Sequence, residues 1–146
     1  MSKLIGNAIV GQSGGPTAAI NATLAGVIRG VIENVHDGNI KTLYGMRNGI
    51  EGFLDERFVN LSELFSDPEK ITMLENTPAA ALGSCRKKLP DPTKDTAIYE
   101  KILEIFKKYD IRYFFYIGGN DSMDTVAKLS EYTKQNDYEM RIVGIP

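Results

Sequence analysis

The chain has little of what most often carries metal and covalent chemistry: in 146 residues there is one cysteine, Cys85, one histidine, His36, and no tryptophan. A single cysteine excludes an internal disulfide framework and a thiolate-rich metal centre, and it fits a reducing compartment such as the cytoplasm. Nothing in the sequence supplies Cys85 with a Cys/His arrangement, so it reads as a small packed side chain. His36, just before Asp37-Gly38, reads as a solvent-facing residue at a helix end. Long apolar runs are also missing. The stretch Leu4-Ile5-Gly6-Asn7-Ala8-Ile9-Val10 is too short and interrupted for a signal peptide or membrane span, so Asn21-Ala22-Thr23 and Asn60-Leu61-Ser62 match a glycosylation pattern only formally. With a net charge of -2 and scattered basic residues, there is no electrostatic footprint for nucleic acid. Two phosphate motifs are absent as well. Ser13 occupies the second glycine position of a GxGxxG fingerprint, and no GxxxxGK[ST] occurs.

What is present is ordinary in bulk and specific in pattern. An apolar content of 42% and a charged content of 25% are those of a soluble globular protein of one domain or part of one. The run from Leu4 to Val10 reads as a first buried strand. After Gly11-Gln12-Ser13-Gly14-Gly15-Pro16, apolar residues recur at helical spacing (Ile20, Leu24, Val27, Ile28, Val31), with Pro16 suited to a first helical turn. Asn39–Tyr44 then reads as a second strand, and this β-α-β opening argues for a parallel sheet with right-handed crossovers and helices on its faces. From about Gly45 to Asp95 the pattern loosens, with short helical signals near Ile50 and Leu64. Regularity returns with Ile98, Ile102, Ile105 and Phe106 at helical spacing, the aromatic strand Arg112–Ile117, a helix through about Gln135, and a short strand Met140–Ile145. The sequence then stops at Pro146. Ligands of open α/β sheets collect beyond the carboxyl ends of strands, so the chain is expected to be an incomplete domain.

Chemistry concentrates at two strand exits. Gly118-Gly119-Asn120-Asp121-Ser122 falls where the aromatic strand turns into a helix, and Ser13-Gly14-Gly15 falls after the first strand. Glycines let backbone amides approach a ligand, and a helix start favours an anion. Two such exits can face one polyphosphate from the same sheet edge. The carboxylates Asp121 and Asp124 beside the second pair point to a metal-phosphate site rather than a bare anion site.

These residues resemble the phosphofructokinase family. Ser13-Gly14-Gly15 with Asn21, Gly83-Ser84-Cys85-Arg86, and Gly118-Gly119-Asn120-Asp121-Ser122 match three family motifs in the family's order. The resemblance spans essentially residues 1–146 and is to the N-terminal, donor-binding part of such an enzyme, with a Rossmann-like α/β domain. It implies magnesium-assisted phosphoryl transfer to the 1-hydroxyl of fructose 6-phosphate, in a cytoplasmic homo-oligomer, dimer or tetramer, of glycolysis. It further implies Arg86 and Asp121 as catalytic positions. Gly15, Arg86, Lys87, Gly119, Asn120, Asp121 and Ser122 would bind the donor, and Asn120 would stand at the metal position.

The resemblance also bears on the donor. The residue after the family's acidic magnesium position is glycine in ATP enzymes and aspartate in most pyrophosphate enzymes; here it is Asp121. Its carboxylate would stand where the α-phosphate of ATP needs room. Two unit charges about 4 Å apart at an effective dielectric near 20 repel by roughly 4 kcal/mol, about a thousandfold in affinity. Pyrophosphate is therefore the expected donor, with an ATP-dependent kinase and a non-catalytic phosphate-binding subunit as alternatives. The family's magnesium-associated aspartate is Asn120 here, a neutral ligand, so substrate phosphates and water are expected to hold most of the metal. Arg86, extended by Lys87 and Lys88, is expected to stabilise phosphate charge. Ser122 is expected to donate to a phosphate oxygen or to cap the following helix, and Asp124 to favour the helix start electrostatically. Gly144-Ile145-Pro146 resembles the run just before the family's base, which would place that aspartate after residue 146. Of a pair of effector-binding arginines in allosteric relatives only one is retained, Arg29, the other position being Ala25; with Arg57 alone beside it, a non-allosteric protein is expected.

Overall fold

Five strands form one sheet: β1 (Gly6–Gln12), β2 (Ile40–Met46), β3 (Phe58–Asn60), β4 (Ile111–Ile117) and β5 (Arg141–Ile145), in the order β3-β2-β1-β4-β5. This is a computed structural model, and it describes residues 4–12, 18–33, 40–75, 82 and 89–145. The helices are α1 (Ala18–Glu33), α2 (Gly49–Leu54), α3 (Leu61–Leu64), α4 (Pro68–Glu75), α5 (Thr96–Lys108) and α6 (Asn120–Gln135). Four strands and the three long helices fall where the apolar spacing predicts them. His36, Pro16 and Cys85 lie outside the described residues.

The expectation of a parallel sheet needs one correction. β1, β2, β4 and β5 are mutually parallel, but β3 runs antiparallel to β2, so the sheet is mixed. The cause is local. After the short α2 the chain reverses through Glu56, at φ 56°, and Arg57, whose N–H donates to Gly52 O at 2.8 Å while its own carbonyl accepts from Arg47 N–H at 2.9 Å. A connection this short cannot cross over the sheet and can only return antiparallel. Three residues carry too few alternations to reveal such a strand beforehand. Asn60 then caps α3 through its side-chain oxygen, which accepts from Glu63 N–H at 3.1 Å.

The core divides into two layers because strand side chains alternate between faces. Ile9, Met46, Phe114 and Tyr116 pack with Ile50 and Phe53 of α2, Ile102 and Phe106 of α5, and Leu129 of α6. Ala8, Val10, Leu43 and Ile117 pack with Leu24, Ala25 and Ile28 of α1 and Ile71 of α4 on the other side. Phe106 lies against Phe53 and Phe114 with ring centroids 5.3 and 5.8 Å apart, and burying such a ring contributes about 2–3 kcal/mol. The chain proceeds outward from β1 in one direction to β2 and in the other from β4 to β5. Right-handed crossovers in opposite directions put α1 and α6 on opposite faces, and β1 and β4 flank the point where the order reverses. Their last residues are register partners, Gln12 opposite Ile117. The two strands that precede the glycine pairs in the sequence therefore end side by side.

Candidate phosphate site

β4 ends at Ile117, and Gly118 N–H donates to Ile145 O at 3.0 Å, extending the ladder to β5 by one bond. Gly119 is the N-cap of α6, with φ -85° and ψ -153°, and its carbonyl accepts the first helical bond from Met123 N–H at 3.1 Å. The cap position has no side-chain hydrogen bond. Within the helix the amides of Asn120, Asp121 and Ser122 precede any i−4 carbonyl, so the start of α6 has donor capacity and a positive dipole end at the carboxyl edge of the sheet. A Cβ built on Gly119 meets nothing within 4 Å, so the approach to these amides is open.

Four of the expected site residues, Gly119, Asn120, Asp121 and Ser122, are gathered on this one turn. The first three are exposed, whereas Ser122 is 2% exposed. The capping role for Ser122 is corrected: the cap is Gly119, and Ser122 lies inside the first turn because the helix begins two residues before it. Gly15, Arg86 and Lys87 lie outside the described residues, as do Ser13, Gly14 and Lys88. Asp124 does more than favour the helix start. Its carboxylate pairs with Lys128 Nζ at 2.7 Å, one turn on, and the same ammonium donates to Leu89 O at 2.9 Å. Tyr99, on α5, donates to Pro90 O at 2.6 Å, and its hydroxyl is pushed up to about 12 by burial and then by the negative charges of Asp124, Asp91 and Asp95.

Two residues that sequence reasoning passed over also belong to this edge. Gln12, 0% exposed at the end of β1, accepts from Leu82 N–H at 2.9 Å through Oε1. Lys128 was legible only as the i+4 partner of Asp124; Gln12 was legible only as the neighbour of Ser13.

Among the described residues no three His, Cys, Asp or Glu side chains are grouped so as to hold a metal ion. Asn120 and Asp121 each carry an exposed side-chain oxygen on this turn, and either one is a hard ligand that suits magnesium completed by phosphate oxygens and water. The two arginines expected to remain of an effector cluster, Arg29 and Arg57, have partners within the chain. Arg29 Nη2 donates to Thr72 Oγ1 at 3.2 Å, Arg57 pairs with Asp55 at 3.5 Å and donates to Asn48 Oδ1 at 3.4 Å, and Ala25 is buried. No helix among the described residues is long and apolar enough to cross a membrane.

The arrangement has known counterparts. A sequence profile described as Phosphofructokinase matches residues 7–146. The chain belongs to the phosphofructokinase family. A pyrophosphate--fructose 6-phosphate 1-phosphotransferase from Halomonas elongata is 43% identical over 140 residues, covering 96% of this chain and 32% of that protein. The crystal structure of a pyrophosphate-dependent phosphofructokinase from Nitrosospira multiformis superposes with a TM-score of 0.85 at 41% identity, over 96% of this chain and 33% of that one. An ATP-dependent 6-phosphofructokinase from Actinobacillus pleuropneumoniae is 29% identical over 146 residues, 40% of its length. This phosphofructokinase chain thus spans about a third of the length of the pyrophosphate relatives it matches.

Proposed function

We propose that these residues form the donor-binding part of a pyrophosphate-dependent phosphofructokinase, which converts fructose 6-phosphate to fructose 1,6-bisphosphate in a cytoplasmic homo-oligomer. The observation that carries the reading is that Gln12 and Ile117, each followed in the sequence by a glycine pair, end their strands side by side, with Asp121 exposed on the first turn of α6. Greater identity to pyrophosphate enzymes than to an ATP enzyme supports the same donor.

In this reading the sugar 1-hydroxyl attacks one phosphorus of pyrophosphate in line. A new O–P bond forms as the bridging P–O bond breaks, and the bridging oxygen leaves with inorganic phosphate. The hydroxyl proton passes to a carboxylate base expected in the family after the Gly144-Ile145-Pro146 run. The amides at the start of α6, that of Ser122 among them, bind the phosphate that leaves, and Gly15 contributes from the first glycine pair. Arg86 and Lys87 neutralise charge that builds on the transferred group. Asp121 limits the site to a donor that ends at its second phosphate. Magnesium, when bound through Asn120 or Asp121 and the phosphate oxygens, supplies further neutralisation.

The test is turnover of the full-length protein with pyrophosphate and with ATP, side by side. Efficient use of pyrophosphate alone is expected, and efficient use of ATP alone would overturn the donor assignment.

A further inference from the structure

Asn120, Asp124 and Lys128 stand at i, i+4 and i+8 on α6, so they form one row that starts at the phosphate turn and descends the helix by about 6 and about 12 Å. Residues 120–127 hold two carboxylates, Asp121 and Asp124, and no basic side chain; Lys128 is the first cation of the helix. That distribution carries a conflict. A carboxylate near a helix start stabilises the helix, but it also opposes the anion that the same start attracts. Asp124 is the part of that charge with a visible offset. Its Oδ2 lies 2.7 Å from Lys128 Nζ, Asp124 being 42% and Lys128 25% exposed, and the ammonium is held from a second side by the Leu89 carbonyl at 2.9 Å. Both charges are felt beyond the pair. After burial, Asp124 helps to raise the Tyr99 hydroxyl; after two hydrogen bonds from Thr93 and the charge of Lys94, Lys128 helps to hold the Asp91 carboxyl below its ordinary range.

Resting on the pyrophosphate reading above, we propose that Lys128 is a positioning residue for donor affinity: it holds Asp124 in an ion pair and cancels its charge, so the amides at the start of α6 meet pyrophosphate without a second carboxylate opposing it. Pyrophosphate carries several negative charges, so an uncompensated carboxylate one turn away opposes it more than it would a monoanion. Helical side chains lean towards the N-terminus of their helix. That lean brings the ammonium up to Asp124 from one turn below and leaves the turn at Gly119–Ser122 clear for the donor. Lys128 thus acts on the donor only through Asp124. The pair also keeps the benefit of Asp124 to the helix while removing its cost to the anion.

The experiment is a double-mutant cycle in the full-length protein, with pyrophosphate affinity measured by calorimetric titration at low and at high salt. Lys128→Met is expected to weaken binding about threefold, the scale of a charge near a helix start. Asp124→Asn is expected to tighten it by a similar factor, and the double variant to bind as the parent does. The differences should shrink at high salt, as charge effects do and packing effects do not. Opposite signs are the decisive feature, because a pair that served only to hold the helix together would weaken binding from either side. Single variants that move together or not at all, differences indifferent to salt, or a double variant that keeps the Lys128→Met value would overturn the charge role; the last outcome would assign the effect to the lost Leu89 contact. A parent that binds no pyrophosphate overturns the donor reading instead. Should Lys128→Met not fold, Asp124→Asn decides: tighter binding supports the inference, and unchanged or weaker binding overturns it.

Discussion

A methyl group added to Gly52 would stand 1.4 Å from the carbonyl oxygen of Arg47. The conflict is between two backbones, in the turn where α2 and β3 fold back on β2, and no rotamer change relieves it. Gly52→Ala is therefore expected to destabilise the fold by about 3 kcal/mol, at the upper end of ordinary overpacking costs. Urea denaturation measures this directly, and a variant within the error of the parent would contradict the close approach.

Asp121→Gly should shift the donor preference. Removing a carboxylate worth roughly 4 kcal/mol of repulsion raises the ratio of ATP to pyrophosphate use by up to about a thousandfold. The Thr125 hydroxyl bonds to the carbonyl of residue 121 at 3.1 Å, a contact that glycine keeps. The ratio of kcat/KM values for the two donors is the measurement, and an unmoved ratio rules out Asp121 as the selector.

Gly119→Ala separates stability from binding. Its backbone is at a φ any residue adopts and the added methyl meets nothing within 4 Å, so stability should fall only by about 1 kcal/mol, the cost of alanine at a helix N-cap. Phosphate approaching the amides of α6 would meet that methyl, so the pyrophosphate KM should rise at least about tenfold, a loss of about 1.4 kcal/mol. Calorimetric titration with pyrophosphate would expose the opposite result, unchanged affinity, which would place the donor elsewhere.

Alkaline pH should weaken the fold through Tyr99. Its hydroxyl is held up to about 12, by burial first, against 10.0 for the free side chain. Between these values the unfolded chain has lost the proton that the folded chain keeps, so stability is fully present below pH 10 and declines as pH rises towards 12. Burial raises Tyr138 in the same direction. Tyr99→Phe should flatten the decline while losing about 1 kcal/mol at neutral pH with the Pro90 hydrogen bond. Denaturation midpoints at pH 8 and 11 for both proteins test this; equal slopes would exclude Tyr99 as a contributor.

The sequence by itself determined the long elements and the identity of the loop at residues 118–122. Periodicity over seven or more residues reports which faces are buried, and paired glycines next to an aromatic strand report a strand exit. It did not disclose β3, whose three residues pair antiparallel only because Arg57 bonds back to Gly52 and Arg47. Nor did it assign Gln12, Asp124 or Lys128, since the partners of Gln12 and Lys128 lie 70 and 39 residues away. Only the tertiary structure decided that Gln12 and Ile117 end their strands side by side. The physical reason is that strand order depends on which faces the crossover helices bury together, a choice made between distant segments and invisible in any local stretch of residues.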